Sequence, residues 1–258
     1  IQLLLVSLRT RLGVFTFANY LAAYGRARYV DSLVTSLLLA AETALISVLF
    51  AAPIAWAVSR TNMPAKGLVW GMVFGAFILP PYLGAIGWIL LTGPNSGWLN
   101  RIWTGITGAA QGPFDIYTFS GLTFIIAIYS FPYIFIFTTA ALELVSSEME
   151  DAANILGAGA WRTFVRVTLP LCLPGVIAGA ILSFAKAMGE FGATITFVSN
   201  IPGETQTLPS AIYTFTQVPG GDAGAMRLTL ISVVISMGAL LASELLARRV
   251  GARPEQAR

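Results

Sequence analysis

The stretch Met149–Pro170, MEDAANILGAGAWRTFVRVTLP, decides how the rest of the chain is read. It is polar and helix-prone, yet it lies between two long apolar runs. An acidic pair, Glu150 and Asp151, is followed by Ala152 and Ala153, then by three residues and Gly157-Ala158. Val167-Thr168-Leu169-Pro170 closes the pattern. The acidic residues favour a helix N-terminus, with Ser146 or Ser147 as its cap. Ala152 and Ala153 leave a smooth helical face, and Gly157 breaks or bends the helix. Trp161, Phe164 and Val165 supply the apolar face of a second short helix, with Arg162 and Arg166 four apart on one side. Such a helix–turn–helix can press small residues into a partner's groove and transmit a push. The alternative is an amphipathic connector lying on a membrane surface.

Around this stretch the composition is that of a membrane protein. Of 258 residues 56% are hydrophobic and only 10% charged, against roughly 25% charged in soluble domains. The net charge of +3 does not point to nucleic acid, because the basic residues sit at the ends of apolar runs. With one cysteine, Cys172, and no histidine, the chain offers no intrachain disulfide, no metal site and few of the usual proton carriers. No cleavable signal peptide is expected: Ile1–Leu8 is short and Arg9 and Arg11 follow it.

Five apolar runs reach the roughly 20 residues that a spanning helix needs: Leu33–Val58, Gly67–Leu91, Phe119–Leu142, Leu169–Gly189 and Leu228–Ala247. In lipid the backbone must satisfy itself, so the expected fold is all-α, a polytopic helical membrane protein. Prolines 53, 80, 81, 132 and 174 are expected to distort or end several spans. With the C-terminus inside, the cytoplasmic pieces carry Arg60, Lys66, Arg162, Arg166, Arg248, Arg249, Arg253 and Arg258. The opposite loops, Thr92–Thr118 and Glu190–Arg227, carry only Arg101 and Arg227, while Arg9, Arg11, Arg26 and Arg28 sit in or beside the lead-in Gly13–Val30 and run against the pattern. This asymmetry places the Met149–Pro170 segment in the cytoplasm. The expected organisation is a lead-in over 1–32, a membrane-spanning domain over 33–247 with a cytoplasmic loop at 143–168, and a basic tail over 248–258.

Three ionisable groups fall in or near spans: Glu42, Lys186 and Glu190. Such groups are costly in a membrane and are functional candidates. Lys186 and Glu190 are four apart and can pair on one helical face, which favours a structural lock over a substrate site. Glu42 stands mid-span with no readable partner. Gly192, Thr194, Thr196, Ser199 and Asn200, beside Glu190, offer close backbone approach and neutral hydrogen bonds. They suit an oxyanion gate, and equally a small-residue helix interface.

The Met149–Pro170 pattern resembles the EAA loop of ATP-binding-cassette importer permeases, with Asp151 where that family usually carries glutamate. The resemblance implies that Glu150, Asp151, Ala152, Ala153, Gly157, Ala158, Trp161 and Arg162 dock into an ATPase. Within FAKAMGEFGATITFVSNIPGETQTLPSAIYTFTQVPGG (Phe184–Gly221), the elements GEFGATITF, NIPGET and LPSAIYT resemble bacterial molybdate permeases. LPPYLGAIGWILLTGPNSGWLN (Leu79–Asn100) and GPFDIYTFSG (Gly112–Gly121) are more like ferric-iron permeases. The longer, less interrupted C-terminal match sets the expectation of molybdate or tungstate as cargo, ahead of ferric iron, sulfate or another small solute. Family members commonly have six spans, so Ile1–Leu8 would end a preceding one.

A multi-pass inner-membrane permease of a bacterium is therefore implied, working as a homodimer with two copies of an ABC ATPase and an extracytoplasmic binding protein. The chain would bind no cofactor of its own; ATP and Mg would be used by the partner ATPase. No G-x-x-x-x-G-K-[ST] loop is present. An integral-membrane enzyme is disfavoured by the missing histidine and the lack of a convergent acid–base set, and a passive channel by the docking-like loop.

Overall fold

The computed structural model describes residues 15–16, 27–198 and 200–251. Its long elements are helices: α1 (Ala27–Arg60), α2 (Lys66–Ile78), α3 (Pro81–Thr92), α4 (Trp98–Thr107), α5 (Phe119–Leu144) and α6 (Ser147–Ile155). There follow α7 (Ala160–Thr163), a π-helical turn (Phe164–Thr168), α8 (Leu169–Met188), α9 (Gly192–Phe197), α10 (Leu208–Thr216) and α11 (Asp222–Gly251). Most of the expected lead-in, Ser199 and the end of the basic tail lie outside the described residues.

Among the described residues, three helices are long and apolar enough to cross a membrane: Tyr29–Arg60, Phe119–Leu144 and Ala160–Met188. The expected span Gly67–Leu91 is not one helix. It is broken into α2 and α3, which meet at 109°. Leu79 and Pro80 are extended, with ψ of 127° and 133°. Each precedes a proline, a position from which the α conformation is sterically disfavoured. Pro81 then takes the first turn of α3, where its missing N–H costs nothing. Pro53, Pro132 and Pro174 stay inside α1, α5 and α8. The fifth expected span lies within α11 without meeting the same measure of length and hydropathy among the described residues.

Two compact units divide the described residues. The first holds the residues up to Glu42, Pro80–Ile126 and Lys186–Gly238; the second holds Thr43–Leu79, Ala127–Ala185 and those from Ala239 on. In the first, Leu39, Leu122, Ile125, Ile126, Leu208 and Leu228 are fully buried. Tyr29 stacks on Phe215 at 5.4 Å, and Trp88 meets Phe124 edge-on at 5.0 Å. The loop around α4 is pinned by buried Asn100, whose Nδ2 donates to Gly93 O and Phe114 O and whose Oδ1 accepts from Phe114 N. Gly112 packs so closely on Asn100 that a Cβ there would collide with its carboxamide.

In the second unit, Ala51, Ala55, Val58, Val73, Ile134 and Phe135 form one core cluster, with Trp70 edge-on to Phe135 at 4.9 Å. Here α8 presses against α5 through glycine. A Cβ on Gly179 would stand 2.7 Å from Ile134 Cα, and one on Gly175 2.5 Å from Ala141 Cβ. Small residues at a one-turn interval let two backbones approach, which is a principal source of helix association in lipid.

Candidate functional site

The Met149–Pro170 segment folds from its own capping signals. Ser146 is the N-cap of α6: its Oγ accepts from Glu148 N at 3.2 Å, with Glu148 and Glu150 in the first turn. The helix ends at Leu156, and Gly157 follows with φ of 83°. Gly157 N donates to Asn154 O at 2.9 Å and Ala158 N to Ala153 O at 3.0 Å. This is the double hydrogen bond of a Schellman stop, which needs a left-handed residue at that point. Four residues of α7 and the π-helical turn then lead into α8. In that turn Leu169 N–H reaches back to Phe164 O.

Glu150 is the fixed point of the segment. Its Oε1 lies 3.3 Å from Arg60 Nε and accepts from Thr168 Oγ1 at 2.7 Å. Arg60 Nη2 donates to Leu142 O at 2.7 Å and Val145 O at 2.5 Å. One guanidinium at the end of α1 therefore bonds two carbonyls at and just past the end of α5, Leu142 O also accepting from Val145 N. It also grips α6, while Thr168 ties the same carboxylate to the segment just before α8. Planar, multidentate Arg suits this task as Lys does not. Thr163 Oγ1 adds a bond to Asn154 Oδ1 at 3.4 Å.

The outer face is uncovered by the described residues. Asp151, Ala152, Gly157, Trp161 and Arg162 are exposed and Ala153 and Ala158 half-buried. Ile155 is 86%, Leu156 87% and Trp161 76% exposed. These open apolar side chains stand in the same segment as the exposed charges of Asp151 and Arg162. Behind it Trp161, Phe164 and Trp56 form an aromatic series, with centroids 5.7 Å and 5.4 Å apart. They line a cavity of about 550 Å³ with Pro53, Cys172 and Val176.

The residues proposed for a pathway are placed in the first unit. Lys186 Nζ lies 3.7 Å from Glu190 Oε2, so the pair read from their spacing is formed. Glu190 Oε1 also accepts from Ala193 N at 3.1 Å. The Thr194 hydroxyl, buried, donates to Glu190 O, and that of Thr196, exposed, donates to Gly192 O. Gly192 packs beside Tyr82. Asn200, at φ of 51°, donates to Thr214 Oγ1 at 2.7 Å and accepts from Gln206 Nε2 at 3.0 Å. Both ends of its amide hold the loop together. Glu42 is exposed on α1, and its carboxylate accepts from Thr123 Oγ1 at 3.3 Å.

Sequence reasoning missed Arg60 as a structural centre, because it had counted that residue only toward the topological charge balance. Its one local signal is position: a basic residue in the last turn of a helix, where carbonyls go unpaired.

A family model described as "Binding-protein-dependent transport system inner membrane component" matches residues 20–252. The "Molybdenum transport system permease protein ModB" of Escherichia coli (strain K12) is 43% identical over 221 residues, 83% of this chain and 93% of that protein. Its counterpart in Haemophilus influenzae is 39% identical over 222 residues, 86% and 94% of the two chains. A solved bacterial ABC transporter involved in the import of the acidic polysaccharide alginate shares the fold at 16% identity. Its TM-score is 0.72, over 95% of this chain and 87% of that one. The chain belongs to the family of inner-membrane components of binding-protein-dependent transport systems.

Proposed function

We propose that this chain is the membrane permease of an ATP-binding-cassette importer for molybdate or tungstate. The observation that carries the reading is the 43% identity to a molybdenum permease across 83% of the chain. Two copies of the chain form the path, two ATPase subunits dock on the cytoplasmic side, and an extracytoplasmic binding protein delivers the anion. ATP and Mg belong to the ATPase partner.

The coupling segment supports the mechanism. An ATPase that grips Asp151, Ala152, Ile155, Leu156 and Trp161 pushes on α6. The push is not absorbed by a loose loop, because Glu150 is tied to Arg60 and Thr168. It reaches the ends of α1 and α8, the helices whose rocking would open and close the path. Glu190, Gly192, Thr194, Thr196 and Asn200 remain the proposed vicinity of the gate.

Proteoliposomes holding the permease, its ATPase and the binding protein encoded beside it test the reading. The expected result is ATP-dependent accumulation of labelled molybdate or tungstate, with ferric iron and sulfate left outside. Accumulation of iron or sulfate without molybdate would overturn the cargo. No ATP-dependent uptake of any of them would overturn the importer.

A further inference from the structure

Lys186 stands in the last turn of α8 with its side chain 22% exposed. Its Nζ is buried and has no hydrogen-bond acceptor within 3.5 Å among the described residues. The counter-charge is there: Glu190 Oε2, on a side chain 11% exposed, lies 3.7 Å away. That separation balances charge without making a hydrogen bond, since an ammonium–carboxylate bond closes to about 2.7–2.9 Å.

Glu190 is held from its other side. Oε1 accepts from Ala193 N at 3.1 Å, and Ala193 and Thr194 beside it are fully buried. A Cβ on Gly192 would come within 3.6 Å of Oε1 and 3.4 Å of Tyr82 Cβ, so the carboxylate sits close against the backbone that leads into α9. A pair serving only to lock α8 to α9 would use the ammonium's donors, because unmade hydrogen bonds on a buried charge are costly. Here the ammonium's charge is compensated by Glu190 at 3.7 Å, and no closer acceptor is supplied by the described residues.

We propose that Lys186 is an oxyanion contact of the transport path, and that Glu190 is the group that makes the contact reversible. The ligand class is a tetrahedral dianion, so the inference rests on the cargo reading above. An isolated, poorly hydrated ammonium would hold a dianion too long for transport, and a conducting site must bind weakly enough to release. A carboxylate 3.7 Å from the ammonium repels the same dianion and retakes the lysine as it leaves.

This arrangement makes the two single variants move in opposite directions. Equilibrium binding of radiolabelled tungstate is measured on the purified permease–ATPase complex without binding protein, beside molybdate uptake in proteoliposomes. Glu190→Gln is expected to tighten tungstate Kd at least about tenfold while slowing uptake, and Lys186→Gln to weaken Kd by a similar factor. Either single variant leaves an unpaired charge and could fail to assemble. Lys186→Gln/Glu190→Gln buries none, and it is expected to assemble and bind as weakly as Lys186→Gln. Equal weakening by both single variants, wild-type affinity in the double variant, or no binding that Glu190→Gln makes measurable would each overturn the proposal. If the wild-type complex transports no oxyanion, the functional reading falls. If it transports molybdate while Lys186→Gln keeps wild-type affinity, only this inference falls.

Discussion

Arg60 and Glu150 are ninety residues apart in the chain and 3.3 Å apart in space, and between them they join the ends of α1, α5 and α6. Arg60→Gln removes the ion pair and the bonds to Leu142 O in α5 and to Val145 O just past it. Hydrogen bonds to a charged group contribute about 1.5–3 kcal/mol, and about 2–4 °C accompanies each kcal/mol in a chain of this size. The purified protein should therefore melt roughly 5 °C lower. Glu150→Gln keeps an acceptor for Thr168 and should lose less. Arg60→Lys should fall between wild type and Arg60→Gln, since one ammonium cannot span three acceptors. Scanning fluorimetry in detergent gives the ranking; equal melting of all three variants would contradict it.

At Gly157 the structure separates a backbone requirement from a contact requirement. An added Cβ meets nothing in this chain, but φ is 83°. Asn and Asp both tolerate that conformation and are nearly equal in size, so they differ in charge and in the amide's N–H donors. Gly157→Asn should retain the ATPase on co-purification, and Gly157→Asp should release it because a carboxylate is forced against the docking partner. Equal retention by the two would mean that no partner approaches this turn.

The α5–α8 contact predicts a contrast between glycines. Gly179→Ala sets a Cβ 2.7 Å from Ile134 Cα and should destabilise by about 1–3 kcal/mol. Gly71→Ala in α2 meets nothing within 4 Å in this chain and should be neutral or slightly stabilising. Thermal unfolding of both variants, at matched expression, checks the difference.

Asn100 is 3% exposed and makes three hydrogen bonds across its loop. Asn100→Asp removes the amide donors to Gly93 O, which keeps its bond from Gly97 N at 2.8 Å, and to Phe114 O. It also sets a carboxylate in a buried position beside both carbonyls, at a cost of about 1–3 kcal/mol. Hydrogen exchange over residues 93–118 should quicken by at least about tenfold, with the rest of the protein unchanged. Uniform quickening would instead indicate global destabilisation.

Much of the coupling segment was legible because its signals are local: a serine before two glutamates, a glycine after an alanine pair, and an apolar helix after a proline. The Lys186–Glu190 pair was legible for the same reason, lying within one helical turn. The break at Leu79–Pro80 was legible in part: prolines 80 and 81 are among those expected to distort or end a span, but Gly67–Leu91 still reads as one span in the sequence. Pro53, Pro132 and Pro174 carry the same sequence signal and stay within helices. What differs is that Pro80 and Pro81 are consecutive, so two successive residues are pushed out of the α region and no helix can bridge them. Arg60 with Glu150 and Glu42 with Thr123 were illegible because each joins helices far apart in the chain. Periodicity within one helix says nothing about which side chain another helix will bring.

The π-helical turn at Phe164–Thr168 has an angular consequence. It inserts one residue more than an α-turn would hold, and each residue of an α-helix advances the side-chain direction by about 100°. Trp161 and Arg162 therefore face where they do relative to α8 because of a residue count. Deleting one residue from Phe164–Thr168 would let the helix run on as regular α and would swing both side chains roughly 100° around its axis. The direction in which Trp161 and Arg162 face relative to α8 is set by chain length at one turn, so insertions and deletions there, more than substitutions, can re-aim them.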